Sequence, residues 1–193
     1  MPSSRYNQIP HIDDQDIPST SQLLGIGEII VRHNLESHFG VHLLHRHFKI
    51  HQDTIIFKSV EGEKEVASMT NLSNLDDEKI RPQCFLFDRG AGFLSYEYAY
   101  DDEGVSIIPE PLAMDLMRHF TQNDIGHLLA IEKINGNAER LSREYPHGEF
   151  ATFRMQVDED KTLDINTDTA WIFRKLPDGS VAPQTTCYWR AGC

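Results

Sequence analysis

Two short stretches constrain the fold more than any other part of the chain: Arg89-Gly90-Ala91-Gly92 and Pro177-Asp178-Gly179-Ser180. Each is dense in residues suited to tight turns or positive φ, and each lies between apolar runs rich in aromatic and β-branched residues. The first separates CFLFD (84–88) from FLSYEYAY (93–100); the second separates residues 170–176 from 181–189. Strands joined this tightly run antiparallel. Further strands read from residues 54–60, 65–70 and 127–134, with turns at Glu61-Gly62-Glu63-Lys64 and Asn135-Gly136. Residues 150–157 alternate cleanly, with Ala151, Phe153, Met155 and Val157 on the inner face and Thr152, Arg154 and Gln156 on the outer. Residues 138–148 are polar and read as an extended loop.

Helical periodicity is confined to two places. Residues 111–122 carry Pro111 at the first helical position and an apolar face of Leu112, Ala113, Leu116, Met117 and Phe120. Residues 19–34 open on the N-cap candidates Ser19-Thr20-Ser21 and carry a broad apolar stripe, weakened by Gly25 and Gly27. Many short strands with few helices predict an α+β domain: a mainly antiparallel curved sheet or partly open barrel, with one or two packed helices.

A chain of 193 residues fits one domain. Residues 1–18 are rich in Pro, Ser, Asp and Gln without apolar period, so they are expected as a mobile N-terminal arm, leaving 19–193 as the single domain. Thirty acidic against 18 basic side chains give a net charge of −12. Such a surface repels phosphate backbones and anionic membranes, so neither nucleic acid nor membrane is an expected partner. Neither a signal-peptide core nor an apolar run of transmembrane length is seen, which predicts a cytoplasmic protein. The cysteines Cys84, Cys187 and Cys193 form no C-x-x-C pair; Cys187 and Cys193 are close enough in sequence to bridge under oxidising conditions.

Chemistry concentrates in GVHLLHRHFKIH, residues 40–51, since six of the ten histidines fall between His33 and His51. Read as a strand, this stretch places Val41, Leu43, His45, His47 and His51 on one face and His42, Leu44, Arg46, Phe48 and Ile50 on the other. A helical reading instead stacks His38, His42 and His45. Two histidines at i and i+2 on a strand point the same way and can share one ion. The candidate metal ligands are therefore His45, His47 and His51, for a single Zn, Fe or Cu ion. His42, His119, His127 and Glu97 are alternative third ligands. A second constellation, Tyr96, Tyr98 and Tyr100 on one strand face with Glu97 opposite, is a candidate wall for a small-molecule ligand, with Tyr96, Tyr98 and Glu97 as its contacts.

The H-x-H spacing is similar to the first motif of the cupin barrels. Gly40, His45 and His47 fit it, whereas His51 stands near where that motif has glutamate, and the second motif has no match at residues 104–119. LLHRHF, together with the later tryptophan strand, PDG turn and cysteine, resembles a set of small uncharacterised fungal proteins; that resemblance implies no activity. The expectation is a small enzyme or ligand-binding protein with a histidine-centred site that takes a transition metal. The alternative is a non-catalytic interaction module whose histidines are structural or surface residues. A concave pocket holding His45 and His47 favours the first; a flat exposed histidine face favours the second.

Overall fold

The computed structural model describes residues 3–62, 64–76, 78–101, 107–134, 142–155 and 166–190. Among them ten strands form one closed barrel: β1 (Phe39–Leu43), β2 (Thr54–Glu61), β3 (Lys64–Asn71), β4 (Ile80–Asp88), β5 (Gly92–Tyr100), β6 (Leu129–Lys133), β7 (Ser142–Pro146), β8 (Phe150–Met155), β9 (Asn166–Lys175) and β10 (Val181–Arg190). The spatial order is β1-β6-β4-β5-β2-β3-β8-β7-β10-β9, and β9 returns to β1. Three α-helical segments accompany them: α1 (Ser3–Tyr6), α2 (Thr20–Arg32) and α3 (Glu110–Asn123). No described helix is long and apolar enough to cross a membrane.

The hairpins follow from their turns. Gly92 and Gly179 take φ of 78° and 86°, and Asp88 Oδ1 accepts hydrogen bonds from the Gly90 and Ala91 amides at 2.9 and 2.6 Å. The sheet is mainly antiparallel, as expected, and differs from a partly open antiparallel barrel in two respects. It is closed, and the pairs β2–β5 and β7–β10 are parallel. Turn chemistry fixes pairing only within a hairpin. Here β2–β3 and β4–β5 dock with like-directed strands adjacent, a choice made between hairpins. The segment expected as loop over residues 138–148 contributes β7, held between β8 and β10. The Asn135-Gly136 turn, Val157 and Cys193 lie outside the described residues.

Closure joins positions far apart in sequence, pairing Val41 with Trp171 and His42 with Ala170. Gly40 permits it, because a Cβ there would stand 2.6 Å from the Trp171 carbonyl oxygen. Outside this seam α2 packs on β1, β9, β10 and α3. Ser19 caps α2 reciprocally: its hydroxyl accepts from the Gln22 amide at 3.3 Å, and Gln22 Oε1 accepts from the Ser19 amide at 2.7 Å. The helix's glycines are close-approach residues. A Cβ on Gly27 would lie 2.3 Å from the Phe173 ring, and one on Gly25 would lie 2.4 Å from the His119 ring. The propensity lost at these positions is recovered by close helix–sheet contact at Gly27 and helix–helix contact at Gly25.

Two apolar clusters result. One lies between barrel and helices and includes Ile26, Ile30, Val41, Leu43, Leu116, Phe120 and Phe173. The other is internal and includes Tyr6, Ile9, Phe48, Ile56, Leu86, Tyr96 and Ala151. The β1 strand is buried on both faces, its odd residues towards the helices and His42 towards the interior cavity. Residues 3–18, expected as a mobile arm, are packed rather than free. Tyr6 is fully buried, and Ile9 and Ile12 are nearly so. Arg46 Nη1 donates to the Asn7 and Ile9 carbonyls at 2.6 and 3.1 Å, while the Asn7 side chain bonds both backbone groups of Ile50 at 2.9 Å. Polar composition concealed this because Tyr6 and Ile9 enter the barrel interior and Ile12 the helix-side core individually, without a period, while Ile17 stays exposed.

The packed N-terminus makes a direct prediction. Tyr6→Ala should destabilise the protein by about 3 kcal/mol, as expected for deleting a buried aromatic ring, and removing residues 1–18 should lower Tm by several degrees. Guanidinium and thermal unfolding of both variants provide the measurement; unchanged midpoints would show that the segment contributes nothing.

Candidate metal centre inside the barrel

The β1 strand ends at Leu43, so His45 and His47 are not strand neighbours as expected. Beyond Leu43 the backbone takes partners from elsewhere. The Leu44 amide donates to the Leu128 carbonyl at 2.8 Å, Arg46 to the Pro10 carbonyl at 2.8 Å and His47 to the Tyr6 hydroxyl at 3.2 Å. The irregular path still converges the two rings, with centroids 4.8 Å apart and planes at 80°. They are buried, at 2% and 8% exposure, beside a cavity of about 160 Å³ that both help to line. This is the concave arrangement, not a flat histidine face.

Their shared partner is Glu144, from β7. His45 Nε2 lies 3.2 Å from both Glu144 oxygens, and His47 Nδ1 lies 2.5 Å from Oε1. The donor atoms of His45, His47 and Glu144 all fall within 4.8 Å of one another. In a tetrahedral site with metal–ligand bonds of about 2.0–2.1 Å, ligand atoms stand roughly 3.3 Å apart. The His45–Glu144 spacing already matches that; the His47–Glu144 contact would have to open when an ion replaced the shared proton.

The outer nitrogens are also fixed. His45 Nδ1–H donates to the Leu43 carbonyl at 2.7 Å, which leaves Nε2 as the ligating atom. His47 Nε2 faces Glu97 Oε1 at 3.2 Å, which leaves Nδ1 for the ion. A carbonyl or carboxylate behind each ligating imidazole is the usual way that ring orientation and tautomer are set in metal sites. Glu97 is held in turn by Lys58 Nζ at 3.1 Å and Cys84 Sγ at 3.2 Å from its Oε2.

Glu97 was expected opposite Tyr96, but both side chains are buried inside. A β-bulge is the cause. The β4–β5 register shifts on both sides of Cys84, which pairs with Glu97 while Phe85 pairs with Ser95, so Tyr96 is an extra residue and Glu97 turns inward with it. Tyr96 hydroxyl and His42 Nε2 form a short hydrogen bond. Tyr98 instead points its hydroxyl at the Ser95 carbonyl at 3.3 Å, and Tyr100 packs on Phe57 with centroids 4.8 Å apart. The tyrosines thus do not form a single wall. His51 stands apart from the centre, exposed, with its amide towards Met69 Sδ at 3.1 Å. His119 lies on α3 beside Gly25, and His127 is exposed. Glu144 escaped sequence reasoning because its segment looked like loop; the Ser142-Arg143-Glu144-Tyr145 stretch shows no apolar alternation that would have marked a strand.

Electrostatics define the metal-free state. Burial alone would lower the His47 pKa, but the Glu144 carboxylate and hydrogen bonds to Glu144 and Glu97 more than offset it, raising the pKa to about 10. Burial would raise the carboxyl pKa of Glu144 and of Glu97; against it, the charge and hydrogen bond of His47, with the neighbouring His45 ring, hold Glu144 below its usual range, and Lys58 and His47 hold Glu97 well below it. His42 behaves oppositely, with burial pushing it down to about 3, so it is neutral. Without an ion, the centre therefore holds an imidazolium between two carboxylates.

The sign of the resulting pH dependence follows. His47 is raised on folding, so its stabilisation is complete below the ordinary histidine value of 6.5 and is lost as pH rises towards about 10. Titration of the metal-free protein by histidine-selective NMR should show one ring still protonated at pH 8, and Glu144→Gln should return that ring towards ordinary behaviour. A set of imidazoles all titrating below 7 would contradict this arrangement.

Compared with protein-family models, curated proteins and solved structures, the chain matches none.

Proposed function

We propose that the protein is a metal-dependent barrel in which His45, His47 and Glu144 hold one transition-metal ion facing the internal cavity, where the ion acts on a small ligand. The observation that carries this reading is the buried two-histidine, one-carboxylate set, with donor atoms within 4.8 Å of one another at the wall of a cavity. Two imidazoles and a carboxylate suit Zn(II) or Fe(II), and three protein ligands leave positions open for water or substrate. An ion held there would supply Lewis acidity. The chain supplies the rest: Leu43 and Glu97 fix the two rings, Glu144 is anionic, and the neutral His42–Tyr96 pair lines the interior with a hydrogen-bonding couple. The small-molecule ligand belongs to this cavity, whose lining includes the aromatic side chain of Phe153.

One specific feature favours a second reading: His47 between Glu97 and Glu144 is also a buried proton store, fit for acid–base chemistry without metal.

Elemental analysis of the purified protein, before and after chelation and reloading, separates the two. About one equivalent of zinc or iron is expected in the wild type. His45→Ala and Glu144→Ala should each lower affinity by 100-fold or more while the barrel survives, as judged by circular dichroism. Affinity should also fall as pH falls, because the ligands must be deprotonated. Equal and negligible binding heats for zinc, ferrous iron and copper in wild type and variants would leave the metal-free reading.

A further inference from the structure

Inside the same barrel, on the other side of Glu97, lies a second set of metal-ligating atoms. His42 of β1, Cys84 of β4 and Glu132 of β6 offer nitrogen, sulfur and oxygen donors within 4.8 Å of one another. Glu97 Oε2, 3.2 Å from Cys84 Sγ, adds a fourth. A nitrogen, a sulfur and two carboxylates suit a divalent ion of borderline softness such as zinc.

A cation already stands there. Lys58 Nζ lies 3.1 Å from Glu97 Oε2, 3.3 Å from Glu132 Oε1, 3.6 Å from Glu65 Oε1 and 4.0 Å from Cys84 Sγ, over the Phe153 ring at 5.2 Å from its centroid. The Lys58 side chain is buried, and no other described lysine has three carboxylates within ion-pair distance. It arrives from β2, whose parallel pairing with β5 sets Ile56 and Lys58 beside Glu97 and Ala99.

We propose that Lys58 is a built-in counter-cation filling a second metal site made of His42, Cys84, Glu97 and Glu132, and that its ammonium keeps the barrel centre to a single ion. The second clause rests on the metal reading of His45, His47 and Glu144; the first does not. The charge balance supports the exchange. Losing the ammonium removes one positive charge, a divalent ion adds two, and release of the Cys84 thiol proton to solvent on S–metal bond formation removes one. The net charge of the interior is unchanged.

The test is titration of wild type, Lys58→Met and Lys58→Met/Cys84→Ser with cobalt(II) chloride, followed by absorption spectroscopy. A thiolate–cobalt bond gives a near-ultraviolet charge-transfer band; a histidine–carboxylate site does not. Wild type should take one equivalent without the band. Lys58→Met should take two with the band and rise in Tm on the second, and the double variant should lose both the band and that equivalent. Lys58→Arg, which retains the cation, should behave as wild type. Zero equivalents in wild type and one, with the band, in Lys58→Met would refute the metal reading of the first site, and with it the single-ion role of the ammonium, while supporting Lys58 as the counter-cation of the second site. The proposal is overturned if cobalt-loaded wild type shows the band, or if Lys58→Met gains neither band nor equivalent. A Lys58→Met chain that fails to fold even with cobalt supplied counts equally against it, because the ion should replace the lost charge.

Discussion

Glu97 is a fully buried carboxylate whose two oxygens face in different directions, Oε1 to His47 and Oε2 to Lys58 and Cys84. An unpaired charge at such depth would cost several kcal/mol, and removing one partner of a buried pair typically costs about 3–5 kcal/mol. The interior is therefore tolerable only as a set. Glu97 needs Lys58, His47 needs both Glu97 and Glu144, and the parallel β2–β5 pairing and the β4–β5 bulge bring the members together. These irregularities of the sheet are the features that let charge enter the barrel.

The rest of the fold insulates that set. Helices α2 and α3 cover one side of the barrel wall, with Gly25 and Gly27 permitting the close approaches needed there and Gly40 the closure of the β1–β9 seam beneath them. The N-terminal segment fills the interior with Tyr6 and Ile9 and supplies the partners that the backbone at His47 and Arg46 would otherwise lack. Low dielectric then strengthens each contact. The ion pair, outweighing burial, raises His47 and holds Glu144 down, whereas burial itself keeps the less strongly paired His42 neutral. Burial and ion pairing thus divide histidines of one short stretch into a cation and a neutral acceptor.

Local structure was legible in the sequence where it rests on neighbouring residues. The two Gly-rich turns produced β4–β5 and β9–β10, Ser19 opened α2, and Pro111 with its apolar face marked α3. The histidine cluster also located one side of the centre, because such a concentration of imidazoles is visible without any fold. The carboxylate that joins them was not visible. Glu144 lies in a short polar stretch that becomes a strand only because β8 and β10 flank it, a partnership that leaves no periodic trace.

Chain order and side-chain period thus determined the hairpins β4–β5 and β9–β10, the helices α2 and α3, and that histidine chemistry centres near residue 45. Tertiary structure alone decided that the sheet closes, that two pairings are parallel, and that Tyr6 is core rather than arm. It also decided that His45 and His47 meet Glu144, while His51, at a favourable sequence spacing, stays outside. The physical reason is that these are contacts between segments far apart in the chain, fixed by the registers in which hairpins dock and by the one bulge that turns Glu97 inward.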